Sequence, residues 1–121
     1  MGYWVAGIGA CMANDRKSTI VITGDGSLQM NIQEFATIKH NNLPIKLFIF
    51  NNNGYLLIRH TQHNFMNDRF VGEGPNSGVW CPDSMKIAEA YGINLGCYKS
   101  MTFSACGLEK ERGGGKIAHW Q

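Results

Sequence analysis

Two short polar runs in this sequence contain the residue types that hold a metal ion. Gly24-Asp25-Gly26-Ser27 follows one apolar run, and Asn51-Asn52-Asn53-Gly54 follows the next apolar run. Mg²⁺ takes about six oxygen ligands at about 2.1 Å and usually only one or two protein carboxylates. Asp25 offers a carboxylate, Asn52 offers an amide oxygen, and a turn at Asn53-Gly54 can direct a backbone carbonyl inward because glycine tolerates the necessary dihedral angles. The runs therefore predict a magnesium site.

The same runs offer donors to a diphosphate. Gly26 lets the backbone approach closely, and the Ser27 hydroxyl and the amides of a following helix can donate to phosphate oxygens. Either run alone is typical of an ordinary turn, because glycine, asparagine and aspartate dominate turns for local backbone reasons. Their combination, with Asn52 27 residues after Asp25, favours one joint site for Mg²⁺ and a diphosphate.

The apolar patterns around the two runs predict a strand-helix-strand unit. Ser18–Thr23 is rich in β-branched residues and Ile45–Phe50 is apolar, so both are predicted to be buried strands, joined by an amphipathic helix over Asn31–His40. Such a unit makes a right-handed crossover between parallel strands. Both polar runs then lie beyond the carboxyl ends of the strands, where open parallel sheets bind ligands. We predict an α/β fold, a parallel β-sheet flanked by helices.

The rest of the chain divides into segments with different patterns. We predict a short buried helix over Val5–Ala13 and an irregular segment over Leu56–Gly78 with at most one helical turn. Pro82-Asp83-Ser84 is predicted to start a further helix through Tyr91, with Ser84 or Asp83 as its N-cap and Gly92 as its end. From Leu95 to Gln121 no strand or helix periodicity is present. We expect weak order in that tail.

Composition bounds the class of protein. The chain has 121 residues, which favours one domain, and only 17% of them are charged, with a net charge of +2, which disfavours nucleic acid as a partner. Its apolar runs are too short to cross a membrane. The four cysteines lack the two-residue spacing of zinc or redox motifs and are predicted to be free thiols in a cytoplasmic, reducing location.

Other candidate residues support weaker interpretations. His60 and His63 are spaced for one helix face, but no third ligand has the spacing of a zinc site. Gly7-Ile8-Gly9 begins like a dinucleotide fingerprint, but position 12 is Met and no strand is predicted before it, so a helix-packing glycine pair is predicted there. A Rossmann-like nucleotide binder that uses the same strand ends is an alternative. Three glutamates have no supporting motif and are predicted to be solvated surface acids: Glu34, Glu73 and Glu89.

The run from Gly24 to Tyr55, GDGSLQMNIQEFATIKHNNLPIKLFIFNNNGY, resembles the C-terminal diphosphate-binding domain of thiamine-diphosphate-dependent enzymes, in the acetolactate synthase and pyruvate decarboxylase branch. The similarity continues through MGYWVAGIGACMA, RHTQHNF and KIAEAYGI and covers residues 1–94. The resemblance implies that Asp25, Asn52 and the Gly54 carbonyl bind Mg²⁺. It also implies cofactor contacts from Gly24, Gly26 and Ser27, and from Met1 near the aminopyrimidine ring.

The resemblance also implies a partial domain. Residues 1–94 would form the thiamine-diphosphate-binding domain, incomplete at both ends, and residues 95–121 a divergent tail of a fragment or a shifted reading frame. The resemblance implies that the glutamate that starts proton transfer to the cofactor belongs to a separate pyrimidine-binding domain, so no catalytic residue is assigned in these 121 residues. We expect a pyrimidine-binding domain or a neighbouring subunit as partner, a homo-oligomer for the full-length enzyme, and a 2-oxo acid substrate that is decarboxylated or joined to a second carbonyl compound. A further alternative is a non-catalytic remnant or binding domain with the same fold.

Overall fold

The computed structural model describes residues 3–98 and 116–120, and from residue 95 onward it describes the backbone alone. After a 3-10 turn at Tyr3–Val5, the elements are α1 (Ala6–Ala13), β1 (Thr19–Gly24), α2 (Asp25–Gln29), α3 (Glu34–His40), β2 (Ile45–Phe50), α4 (Leu56–Phe65), α5 (Ser84–Ala90), β3 (Asn94–Tyr98) and β4 (Lys116–Trp120). The four strands form one parallel sheet in the order β1-β2-β4-β3. The predicted α/β class is confirmed.

Strands β1 and β2 are joined through α3 and end at the same edge of the sheet. They pair in parallel along their whole length, from Thr19 opposite Ile45 to Gly24 opposite Phe50. The predicted crossover unit is therefore confirmed, and the polar run after each strand begins at one shared edge. Helix α3 is shorter than predicted, because the residues just before Glu34 form turns in which the Glu34 N–H donates to the Asn31 carbonyl.

The core lies on one face of the sheet, between the strands and the helices α1, α2, α3 and α5. Its fully buried members include Phe35 on α3, Ala88 on α5 and Ile49 on β2. Gly7 brings α1 directly onto β1, since a Cβ at that position would overlap the Val21 side chain. Helices are confirmed over residues 5–13 and after Pro82, with small shifts at their ends. The prediction that the first of them is buried is wrong, because only Ile8 and Cys11 of α1 are buried and Met12 is 48% exposed.

Strand β1 is covered on one face only. Val21 and Thr23 are buried, whereas Ile20 and Ile22 on the other face are 64% and 65% exposed. The prediction of a fully buried strand is therefore wrong for β1. Its β-branched residues are apolar on both faces, and the described helices pack against one face, so the local sequence could not show which face stays open.

Two predictions for the second half of the chain differ from the structure. The segment over Leu56–Gly78 contains the ten-residue helix α4, because Leu56–Phe65 holds no glycine or proline and the glycines of that segment come later. Strands β3 and β4 lie where no periodicity predicts a strand, because pairing with neighbouring strands supplies backbone partners that a local pattern does not reveal. The expected weak order of residues 99–115 falls outside the described residues. Within the described part of the chain, no helix has the length and apolar character needed to cross a bilayer.

The covered and open faces predict different responses to the same truncation. Ile49→Ala removes a fully buried side chain and should lower the free energy of unfolding by about 2–5 kcal/mol. Ile22→Ala, on the open face, should cost less than about 1 kcal/mol. Urea denaturation followed by circular dichroism measures both values. Equal losses for the two variants would mean that the open face is covered in solution.

Candidate functional site

Asp25 joins the two polar runs at the carboxyl edge of the sheet. It is the first residue of α2, directly after β1, and is only 4% exposed. Its Oδ1 accepts the Gly26 N–H at 2.9 Å, and its Oδ2 accepts the Gly54 N–H at 3.0 Å. The carboxylate after the first strand is thus bonded directly to the turn after the second strand.

The backbones of the two runs approach each other closely. A Cβ built on Gly26 would lie 3.0 Å from the Gly54 carbonyl oxygen and 2.8 Å from the Tyr55 ring. A Cβ built on Gly24 would lie 3.2 Å from the Asn52 side-chain nitrogen. Side chains at either glycine would therefore press on the opposite run. The structure brings together the three predicted metal ligands, with the Asn52 amide beside Gly24 and the Gly54 carbonyl beside Gly26.

The turn after β2 has a shape that few residues tolerate. Asn53 has a φ of 51°, a left-handed conformation that asparagine adopts more readily than most residues, and its N–H donates to Asn51 Oδ1 at 3.1 Å. Gly54 has a φ of 123°, and a Cβ there would overlap the Glu73 carbonyl oxygen. The backbone therefore favours asparagine at position 53 and requires glycine at position 54.

A partly buried ion pair, Arg59 with Glu73, supports this turn and could not be found from the local sequence pattern. The prediction that Glu73 is a solvated surface acid is wrong, because Glu73 is 7% exposed, its carboxylate accepts Arg59 Nε–H, and it accepts the Ser77 hydroxyl at 3.3 Å. Its partner lies fourteen residues earlier in the chain, beyond any local pattern. The available signal is glycine on both sides of Glu73, at positions 72 and 74, which permits close approach to another segment.

A cysteine thiol lies within electrostatic reach of the carboxylate. Burial raises the pKa of the Cys81 thiol, and the negative charge of Asp25 raises that pKa further. Among the described residues, Cys11 and Cys81 are free thiols, as predicted.

The structure also places the other candidate residues. Gly7-Ile8-Gly9 lies inside α1, not in a turn between a strand and a helix, so it lacks the context of a dinucleotide fingerprint. His60 and His63 lie on α4, and the described residues contain no group of three or more His, Cys, Asp or Glu side chains that would hold a metal ion. Ser27 lies in α2, partly buried. Met1 lies outside the described residues.

These elements define a class of protein: a parallel α/β domain in which two polar runs meet beyond the carboxyl ends of neighbouring strands, where open parallel sheets bind ligands. The chain belongs to the family described as "Thiamine pyrophosphate enzyme, C-terminal TPP binding domain", whose profile matches residues 1–110. That match extends past residue 94, where the sequence analysis ends the domain. Thiamine diphosphate, with Mg²⁺, is the cofactor of this family.

Individual relatives agree with the family. The acetolactate synthase large subunit of Cyanidium caldarium is 43% identical over 94 residues, which is 77% of this chain and 16% of that protein. The acetolactate synthase isozyme 2 large subunit of Escherichia coli (strain K12) is 33% identical over 95 residues, covering 78% of this chain and 17% of that protein. The chain thus spans less than a fifth of these relatives' length.

A solved structure shares the fold. It is a thiamine diphosphate-dependent 4-hydroxybenzoylformate decarboxylase of Rhodococcus jostii RHA1, with a TM-score of 0.68 and 23% sequence identity, over 98% of this chain and 22% of that one. At this identity the likeness supports the fold of the domain.

Proposed function

We propose that this chain binds thiamine diphosphate through a Mg²⁺ ion at the carboxyl edge of the sheet. The protein ligands are the Asp25 carboxylate, the Asn52 amide oxygen and the Gly54 carbonyl. The observation that carries the proposal is the buried Asp25 carboxylate, which accepts the Gly54 N–H at 3.0 Å and so ties both predicted ligand runs together. The donor chemistry fits, because Mg²⁺ prefers oxygen ligands and needs only one or two protein carboxylates beside phosphate and water.

The remaining predicted contacts belong to the cofactor's diphosphate and ring. We assign the diphosphate to the backbone of Gly24 and Gly26 and to Ser27, and the aminopyrimidine ring to the region of Met1. When bound, thiamine diphosphate supplies a nucleophilic carbon that attacks carbonyl substrates. This chain's residues hold and orient the cofactor, and we assign none of them a proton-transfer role.

The chain would act as one part of a larger enzyme. Its identity to acetolactate synthase large subunits supports a carboligase of that kind, and its fold is equally that of a 2-oxo acid decarboxylase. In either case a pyrimidine-binding domain or neighbouring subunit completes the site, the full-length enzyme is a homo-oligomer, and the substrate is a 2-oxo acid. A cytoplasmic location fits the free thiols Cys11 and Cys81.

Calorimetric titration of the 121-residue chain with thiamine diphosphate tests the proposal. We expect saturable binding in the presence of Mg²⁺ that is lost when EDTA removes the metal, because the ion neutralises the diphosphate charge beside the buried Asp25 carboxylate. Binding that is equally strong without Mg²⁺ would contradict the proposed metal ligands. Saturable binding of ADP without Mg²⁺, and none of thiamine diphosphate, would instead support the Rossmann-like alternative.

A further inference from the structure

Three consecutive peptide groups of the turn after β2 are held by hydrogen bonds. The Asn52 carbonyl accepts Arg59 Nη1–H at 3.3 Å, and the Asn53 carbonyl accepts Arg59 Nη2–H at 3.2 Å. One residue further on, the Tyr55 N–H donates to the Glu73 carbonyl at 2.8 Å. One guanidinium group and one backbone carbonyl thus restrain the whole segment that carries the proposed metal ligands.

These bonds fix the orientation of each peptide plane. The peptide between Asn53 and Gly54 is held at both ends, by Arg59 at its carbonyl and by Asp25 Oδ2 at its N–H. The carbonyl and the N–H of a trans peptide point in opposite directions. Because each of them has its own partner here, the peptide plane cannot rotate without breaking both hydrogen bonds. By the same geometry, the bond from the Tyr55 N–H to Glu73 directs the Gly54 carbonyl away from Glu73.

Arg59 is itself held in place by a frame of side chains. Its Nε–H pairs with the Glu73 carboxylate, which is almost fully buried. The Ser77 hydroxyl accepts the Glu73 N–H at 2.9 Å and fixes that loop from the other side. One turn along α4, Gln62 binds the backbone of Val71 in both directions, at 2.8 and 3.1 Å. Helix α4 and the Glu73 loop therefore act as one support for the turn.

We propose that Arg59 and Glu73 are positioning residues that set the direction of the Gly54 carbonyl and thereby the Mg²⁺ affinity of the site. This inference rests on the proposed function. Neither side chain is a proposed ligand of the metal or the cofactor. Removing a residue that orients a metal ligand typically lowers metal affinity by about 10–100-fold. We expect a loss of the same size when the Arg59 side chain is removed.

The arginine is specific to this role because of its shape. Its planar guanidinium reaches three acceptors at once: the two carbonyls of the turn and the Glu73 carboxylate. A lysine ammonium has the same charge but is a single point on a flexible stem and does not reproduce that fork. Arg59→Lys therefore separates charge from geometry.

The first measurement is the Mg²⁺ concentration that gives half-maximal binding of thiamine diphosphate, determined by calorimetry on the full chain. We expect Arg59→Gln to raise it about 10–100-fold and Arg59→Lys to stay above the wild-type value. Arg69→Gln is the matched control, because Arg69 is exposed and its substitution removes the same positive charge ten residues further along the chain. An unchanged Mg²⁺ requirement in Arg59→Gln, with wild-type binding intact, would overturn the inference.

The second measurement needs no cofactor. Hydrogen exchange followed by NMR should show faster exchange of the Gly54 and Tyr55 amides in Arg59→Gln, and wild-type rates in Arg69→Gln. Unchanged rates would overturn the inference. Faster exchange in a chain that binds no thiamine diphosphate even as wild type would refute the proposed function and leave the positioning of the turn established.

A third variant distinguishes positioning from general stability. Ile38→Val truncates a core residue that is 3% exposed and should lower the free energy of unfolding by about 0.5–1.5 kcal/mol. We expect it to leave the Mg²⁺ requirement at the wild-type value. If Ile38→Val raises the Mg²⁺ requirement as much as an Arg59 variant of similar stability, Arg59 contributes stability alone and the inference is overturned.

Discussion

Asp25→Asn is expected to abolish the magnesium dependence of thiamine diphosphate binding. The substitution removes the one carboxylate among the proposed ligands. Removing a residue that only orients a metal ligand lowers metal affinity by up to about 100-fold, so we expect the loss of a ligand itself to lower Mg²⁺ affinity by at least that factor. It also replaces one acceptor oxygen by a donor nitrogen, so the Gly26 N–H or the Gly54 N–H loses its partner. Calorimetric titration at several Mg²⁺ concentrations measures the effect.

Asp15→Asn is the matched control for the loss of the Asp25 charge. Asp15 is exposed and has a φ of 51°, which asparagine adopts without added strain. The Asp15→Asn variant should bind thiamine diphosphate as the wild type does.

Because Asp25→Asn leaves a buried N–H unpaired, it should also lower the free energy of unfolding by about 1–3 kcal/mol. Tight, magnesium-dependent binding by Asp25→Asn would exclude Asp25 as a metal ligand.

Gly54→Ala is expected to remove cofactor binding while the core remains folded. The new Cβ would overlap the Glu73 carbonyl and lie 3.0 Å from the Gly74 Cα, both backbone atoms that side-chain rotation does not relieve. The φ of 123° is in addition a conformation that residues with a side chain rarely adopt. We expect the turn to rearrange, the Tyr55 N–H to leave Glu73, and titration to show no saturable binding.

Gly78→Ala separates backbone strain from overlap. Gly78 also has a positive φ, 93°, but apart from its chain neighbours no atom of residues 3–98 and 116–120 lies within 4 Å of the Cβ position. Gly78→Ala should lower the free energy of unfolding by about 1–2 kcal/mol and leave cofactor binding intact. The idea that Gly54 is fixed by its contact with Glu73 fails if both variants bind the cofactor equally well, or if both lose binding to the same extent.

The parallel pair of strands could be predicted from sequence because its signals are local. The β-branched run before Gly24 and the apolar run Ile45–Phe50 each identify a strand, and the helical spacing between them fixes the crossover. The start of α5 was equally local, since the Asp83 carboxylate accepts the Met85 N–H at 2.9 Å. Topology then placed Asp25 and Asn52 at one edge, which the structure confirms for the backbone runs.

The supporting residues could not be predicted, because their partners are distant in sequence. Nothing near Glu73 indicates that its carboxylate lies against Arg59, and nothing near Arg59 indicates that its guanidinium holds the Asn52 and Asn53 carbonyls. Helix α4 was also not predicted, because residues 56–78 were treated as one segment. The glycines at positions 72, 74 and 78 made that segment look irregular, although its first ten residues contain none. The open face of β1 depends on which elements cover the sheet, and that is decided by tertiary packing.

The restrained turn after β2 has a consequence for how the length of this chain can vary. Each peptide from Asn52 to Tyr55 has an assigned partner, so an inserted or deleted residue there would shift every later group off its partner. The segment 66–70, just beyond α4, is exposed, and the backbone bond within it joins the Arg69 N–H to the Met66 carbonyl. Insertions and deletions in related sequences should therefore be frequent in the segment after α4 and rare in the turn before it.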